Sequence, residues 1–319
     1  MRNLGRSGLA VSALGLGTMT WGRDTDEFEA QEQAEFFVEH GGNLIDTADV
    51  FGEGAALQVL GSVLQKFGPS HFVVSAKTGL TTDPERRHNS SRNHLVHNLD
   101  ATLRTLKRSH LDIWMIHGFD RLTPLDELAR TLDLAVENGK ANYVGLSNFS
   151  SWQISEVRHY MRNSESLIAC SHEYSLVQRG IDRDVLPYLR HAGVGLIAWS
   201  GLGRGTLSGK YRHAIPADSR AASPHWGVFT RSLLTETNKH IIDAVCTAAE
   251  GLGKNPTTVS LAWALAQPGI SSVLTGARNA QQLRHLLKDF ETDLPVQILN
   301  ALSEISAPET SYPDSAAQR

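Results

Sequence analysis

The stretch Asp112-Ile113-Trp114-Met115-Ile116-His117, continuing through Thr123-Pro124 to Tyr143-Val144-Gly145-Leu146-Ser147, decides the fold. Its two ends are short runs, apolar nearly throughout, as expected of strands buried on both faces of a parallel sheet. Between them Leu125, Leu128, Ala129, Leu132, Ala135 and Val136 share one helical face. Thr123 as N-cap and Pro124 at the first helical position open that helix, and Asn138-Gly139 closes it. Strand, helix and strand in this order make a βα repeat.

Working outward, the repeat recurs. Apolar runs stand at Ala13-Leu14-Gly15-Leu16, Asn43-Leu44-Ile45-Asp46, Phe72 to Lys77, Leu167-Ile168-Ala169-Cys170, Val194 to Trp199 and Ser272-Val273-Leu274-Thr275. Helical spacing joins Leu95, Leu99, Leu103 and Leu106; Ile241, Ile242, Val245 and Ala248; and Val259, Ala262, Trp263 and Ala266, the last stopped by Pro268-Gly269. Most strand-to-strand steps are roughly 26 to 41 residues, the size of a βα unit. Eight such strands either close into a barrel or form an open doubly wound sheet. The open dinucleotide-binding sheet needs Gly-x-Gly-x-x-Gly after its first strand, whereas this chain has Gly15-Leu16-Gly17-Thr18-Met19 and no such fingerprint. The pattern therefore predicts an α/β fold, a (β/α)8 TIM barrel, as a single domain over residues 1–307 with an N-terminal hairpin and a polar tail over 308–319. The long step from Gly201 to Trp226 is expected to be a functional loop or a disordered one.

Composition removes several classes. With 41% hydrophobic and 20% charged residues in 319, the chain can bury a large core. Thirty basic against 34 acidic residues leave −4, which gives no electrostatic pull toward nucleic acid or an anionic membrane. No apolar run reaches the length of a membrane span, and Met1 to Gly8 lacks the apolar core of a signal peptide, so a cytoplasmic protein is expected. Cys170 and Cys246 are too few for a disulfide framework or zinc cage and read as buried thiols. His88, His94 and His97 have no carboxylate or thiolate at ligand spacing and read as a solvated helix face, with no metal.

In such a barrel, polar residues at the C-terminal strand ends are the catalytic candidates. Asp46, Lys77 and His117 hold such positions after the second, third and fourth strands, Ser147-Asn148 follow the fifth, and Trp199-Ser200 the seventh. A carboxylate, a lysine and a histidine at one mouth suit proton transfer. Taken singly, Asp46 could cap a helix, and His117 and Trp199 could be core residues.

The residues also resemble a known family. Leu4 to Ser12, Leu14 to Met19, Asp46-Thr47-Ala48, Ser75-Ala76-Lys77, Gly145 to Phe149, Glu173 to Leu176, Leu202 to Tyr211 and Gly276-Ala277-Arg278-Asn279 are similar, in order, to the aldo-keto reductase superfamily. The resemblance is closest to bacterial members and the potassium-channel β-subunit branch. It implies a barrel that binds NADPH across its mouth and passes hydride to a carbonyl. Three of the family's four catalytic positions hold Asp46, Lys77 and His117; the fourth, the tyrosine that donates the proton, is Phe51.

For the cofactor the resemblance implies Thr18 and Asp46 at the mouth, Ser147 and Asn148 on the carboxamide, and Trp199 stacked on the nicotinamide. It further implies Ser200, Leu202, Lys210 and Arg220 around the pyrophosphate and 2′-phosphate, and Gly276, Arg278 and Gln282 at the adenosine end, Arg278 favouring NADP. Ser171 stands where the family has glutamine, Gly201 where it has proline, and His285-Leu286 where it has the adenine-binding pair. Losing two or three hydrogen bonds of about 1 kcal/mol each would weaken binding about ten- to a hundred-fold. Trp21, Phe51, His88 and Trp226 are expected to line an apolar or aromatic substrate pocket. Without the tyrosine, His117 is the expected substitute proton donor, water near Lys77 another. Beside a reductase of small aldehydes or ketones stand two other functions: an NADP(H)-binding sensor or scaffold with little turnover, and a barrel reducing an activated alkene.

Overall fold

A computed structural model describes residues 1–68, 71–288, 290 and 292–309. Of the polar tail expected over 308–319, residues 310–319 lie outside the described set.

Two short strands come first, β1 (Arg2–Asn3) and β2 (Ala10–Val11), paired antiparallel as the N-terminal hairpin. Eight parallel strands follow: β3 (Leu14–Gly17), β4 (Leu44–Ala48), β5 (Val73–Thr78), β6 (Leu111–Ile116), β7 (Ala141–Ser147), β8 (Leu167–Glu173), β9 (Gly195–Trp199) and β10 (Ile270–Thr275). They close in the order β10-β3-β4-β5-β6-β7-β8-β9, a (β/α)8 TIM barrel in which each strand pairs with its predecessor and β10 returns to β3. The runs read as doubly buried strands are these strands, and their apolarity has the expected cause: one face fills the barrel and the other meets the helices. The core joins Leu44, Ile113, Met115, Ala169 and Ile197 from the strands to Leu4 and Val11 from the hairpin.

The helices are α1 (Glu27–Glu39), α2 (Ala55–Phe67), α3 (Arg92–Leu106), α4 (Leu125–Glu137), α5 (Ser151–Tyr160), α6 (Val185–Ala192), α7 (Gly227–Arg231), α8 (Glu236–Leu252), α9 (Pro256–Ala266), α10 (Ala280–Leu287) and α11 (Val296–Ile305). Leu95, Leu99, Leu103 and Leu106 of α3 are all buried, as their spacing requires. One boundary differs from the expectation. Pro124 is itself the cap residue of α4, with Leu125 the first helical position, and the Thr123 hydroxyl donates to Asp120 Oδ2 at 2.7 Å instead of capping the helix. An aspartate upstream offered Thr123 a charged acceptor, stronger than an orphan helix N–H could compete for.

The chain divides into two compact units. The first comprises Met1–Glu173, Asp184–Trp199 and Gln267–Lys288 and holds the hairpin, the whole barrel and α1 to α6 with α10. The second comprises Tyr174–Arg183, Ser200–Ala266 and the described part of Asp289–Arg319. Within it, α9 is buried nearly all round, the Tyr174 and Trp263 rings stack with centroids 5.8 Å apart, and the Arg179 guanidinium lies 4.8 Å from the Trp263 ring. The long step after β9 is ordered into short 3-10 turns at Gly203–Ser208 and Arg220–Ala222 followed by α7. Cys170 and Cys246 are buried free thiols. Among the described residues no helix is long and apolar enough to cross a membrane.

Candidate active site

Asp46 sits inside β4, so it is a strand residue and caps no helix. Register brings Asp46 opposite Ser75 and Ala48 opposite Lys77 on β5. The Lys77 amine donates to Asp46 Oδ2, and Ser75 Oγ donates to Asp46 Oδ1 at 3.0 Å. Asp46 is 3% exposed and Lys77 4%, which makes this a fully desolvated ion pair. Such a pair is held by its mutual attraction, and removing either partner strands a buried charge. Thr18 is fully buried, and both its N–H and its hydroxyl reach Asp46 O, at 3.0 and 3.2 Å. That ties the end of β3 to the carboxylate-bearing strand and leaves the Thr18 hydroxyl committed inside the protein.

His117 follows β6, its backbone N–H donating to Thr78 O at 2.8 Å. Burial, then the neighbouring Lys77 charge, push its imidazole down to about 3. The expectation that His117 substitutes as an acid therefore fails: it is neutral throughout the pH range in which histidine ordinarily titrates. The Phe51 ring meets it edge to face, with centroids 6.0 Å apart. Phe51 opens a 3-10 turn in which Gly52, Glu53 and Gly54 all have positive φ, so this corner is locally strained and fixed by its surroundings.

Ser147 at the end of β7 pairs in register with Ser171 within β8, and among the described residues neither buried hydroxyl has a hydrogen-bond partner. Asn148, in the left-handed region at φ 62°, donates its backbone N–H to Ser171 O at 3.0 Å. Its side chain accepts from Trp199 Nε1 at 3.2 Å and donates to His117 O at 3.3 Å. The Trp199 ring remains half-exposed. Two orphaned hydroxyls beside an anchored indole fit a planar group carrying amide donors and acceptors, which the nicotinamide carboxamide is.

Farther along the first unit, a Cβ at Gly276 would meet only Gly17 O at 3.7 Å, leaving room for close approach of a ligand. Gln282 Oε1 accepts from the Arg278 N–H at 3.0 Å, which fixes the turn into α10. Leu286 is buried under α10, so it belongs to the core. In the second unit, Ser200 Oγ accepts from Arg204 N at 2.8 Å, Gly201 is buried, and Leu202 leads into the turn. Lys210 is exposed with its amine 5.1 Å from the Tyr211 ring, and Arg220 opens the second 3-10 turn. Trp226 packs near Phe229, with centroids 6.4 Å apart.

Two expectations need correction. Trp21 is fully buried and its indole N–H donates to Gln33 Oε1 at 3.2 Å, so it is core beneath α1 and lines no pocket. Of the three histidines expected on a solvated face, only His97 is exposed. His94 shares a 3.0 Å hydrogen bond with Asn98, and His88 packs against Gly118. Among the described residues no group of three or more metal-ligating side chains occurs.

The structure adds two residues that the sequence did not mark. Asp49, two positions before Phe51, has its carboxyl raised to about 7 by burial, against the pull of the Val50 N–H and the Asn98 amide, the latter at 3.3 Å. Asp120 gathers Arg86 at 2.8 Å, Ser90 N at 2.9 Å and Thr123 at 2.7 Å, fastening the segment after β5 to the one after β6. Burial alone would raise its pKa, but these donors hold it below the usual carboxylate value. Asp120 also accepts from Leu122 N at 2.9 Å, the Asx turn that aspartate favours in a loop; no pattern in the sequence announces the burial of Asp49.

Comparison with known proteins agrees with this geometry. Residues 13–307 match the Aldo/keto reductase family. The chain is also 32% identical over 315 residues to "Uncharacterized oxidoreductase YrpG" of Bacillus subtilis (strain 168), covering 95% of this chain and 94% of the relative. The chain belongs to the aldo/keto reductase family, whose members typically work with NAD(P)H, and with it to the oxidoreductases.

Proposed function

We propose that the protein is an NADPH-dependent reductase of a carbonyl on a small aldehyde or ketone, working with an altered proton donor. The observation that carries this reading is the buried Asp46–Lys77 pair beside His117 and Phe51 at one barrel mouth. A protein that only bound nucleotide would have no use for an ion pair so costly to bury. NADPH, when bound, supplies the hydride. Ser147, Ser171 and Asn148 are the residues suited to hold its carboxamide, the Trp199 ring to stack on its nicotinamide, and Arg278 to pair with a phosphate. Burial, reinforced by the Lys77 charge, keeps His117 neutral, so the imidazole can orient a carbonyl oxygen by hydrogen bonding without becoming an acid. Phe51 keeps the family's ring and lacks its hydroxyl, and a positioned general acid is worth about 10² to 10⁴ in rate.

The test pairs NADPH fluorescence titration with NADPH oxidation by a reactive aldehyde, on the wild type and on Phe51→Tyr. Micromolar binding and aldehyde-dependent oxidation of NADPH are expected in both, faster in Phe51→Tyr above neutral pH, where the phenol stays protonated. Absence of NADPH binding in both would refute the reading.

A further inference from the structure

With Phe51 lacking a hydroxyl and His117 neutral, neither can hand a proton to a carbonyl oxygen, yet a second imidazole stands beside them. His88 lies on the segment leaving β5, where Leu80 and His88 form an antiparallel bridge. Thr81 N donates to Arg87 O and Asn89 N to Gly79 O, both at 2.8 Å, so the segment is a short hairpin rising from the mouth. The His88 ring lies directly over Gly118, the residue after His117: a Cβ there would stand 2.4 Å from His88 Nε2 and 2.6 Å from Cδ2. The imidazole can occupy this place only because residue 118 is glycine. Asp120, through Arg86 and Ser90 on either side of His88, pins the hairpin down. Among the described residues, none hydrogen-bonds a ring nitrogen of His88, and the side chain is half-buried, open to solvent for reloading.

We propose that His88 is the catalytic proton donor of this site, its imidazolium N–H protonating the substrate oxygen as hydride reaches the carbonyl carbon. The proposal rests on the carbonyl-reductase reading above. The C=O π bond gives way to a C–H and an O–H bond, the hydride's two electrons leave the nicotinamide oxidised, and His88 is left a neutral imidazole that solvent reprotonates. The charged and titratable groups facing His88 are Arg87 beside it, Asp120 from the β6 side with its partner Arg86 from the segment of His88 itself, and the neutral His117 with Lys77 behind it. Burial and Arg87 hold the imidazole below 6.5 while Asp120 resists. Asp120 thus favours the charged imidazole at His88, whereas His117 faces the Lys77 charge.

The experiment uses the full chain with 4-nitrobenzaldehyde as probe. NADPH fluorescence titration comes first, then kcat and KM against pH for wild type, His88→Gln, Phe51→Tyr and the double variant, with Gly118→Ala as an independent means of displacing the ring. Histidine side-chain NMR, assigned with His88→Gln, reads the titration of His88 without turnover. His88→Gln should lower kcat about 10²-fold at pH 6 with KM nearly unchanged, and remove the rise in rate toward acid. Gly118→Ala should do the same. In the Phe51→Tyr background the His88 substitution should cost under about threefold, because the restored hydroxyl supplies the proton. The NMR signal should titrate below 6.5.

An unchanged kcat and pH profile in His88→Gln, equal losses in both backgrounds, or a His88 signal that does not titrate above pH 4 would each overturn the proposal. So would a wild type that binds NADPH but turns over no probe, which leaves the nucleotide-binding reading standing. Failure to bind NADPH refutes the functional reading itself, and is seen before any rate is measured.

Discussion

Asp49 and His117 follow β4 and β6, on either side of the end of β5, and burial displaces them in ways that oppose each other along the pH axis. In the folded protein His117 takes no proton until about pH 3, whereas the unfolded chain takes one near 6.5, so its contribution is present above 6.5 and lost as pH falls toward 3. Asp49 runs the other way. The unfolded carboxyl releases its proton near 3.8 and the folded one near 7, so stability present below 3.8 is lost as pH rises through 7. Asp49→Asn removes that second loss. It should be more stable than wild type at pH 8 by about 1 to 2 kcal/mol, less than the roughly 4 kcal/mol of the full displacement because the loop relaxes. At pH 4 the advantage should vanish. Urea midpoints at the two pH values check this, and an equal difference at both would exclude ionisation as its cause.

Among the elements, the hairpin formed by β1 and β2 closes the end of the barrel away from Asp46, Lys77 and His117. Its Gly5 N–H lies 2.5 Å from where a Cβ on Gly195 would stand, with Ser271 Oγ at 2.6 Å and Leu4 Cδ1 at 2.9 Å. Gly195→Ala must therefore push two backbones apart inside a packed core, an overpacking that costs about 1 to 3 kcal/mol. The expected reading is a urea midpoint lowered by that amount; a midpoint within error of wild type would mean that the hairpin yields freely. Strands such as Leu111–Ile116 were legible because burial on both faces leaves an uninterrupted apolar run, and α3 because Leu95, Leu99, Leu103 and Leu106 keep helical spacing. The start of α4 was not, since the choice of partner for Thr123 lies with Asp120, a tertiary matter. Asp46, Lys77 and His117 could be placed from strand ends alone. Trp21 was misread because nothing local distinguishes an indole facing Gln33 from one facing a mouth. His88 could be found as a residue of the mouth, but its seat on Gly118 depends on two loops meeting.

Across the whole barrel, the two ends carry different duties. At the hairpin end the close contacts are glycine against backbone and apolar side chains, so substitutions there should change stability and leave NADPH affinity and turnover per folded molecule alone. Phe51→Tyr, at the other end, should do the reverse. The Asp46–Lys77 pair is where the two duties meet, because the charge we propose for the chemistry is also buried. Lys77→Met strands the Asp46 carboxylate with, among the described residues, only Ser75 as a side-chain donor, and should cost about 3 to 5 kcal/mol. Asp46→Asn with Lys77→Met removes both charges, and the barrel should regain most of that loss while reductase activity stays absent. A cycle of urea midpoints over the four proteins measures the coupling. If the double variant were as unstable as Lys77→Met, the pair's role would be packing of the lysine stem, and the mouth would not be storing an electrostatic cost for the sake of its chemistry.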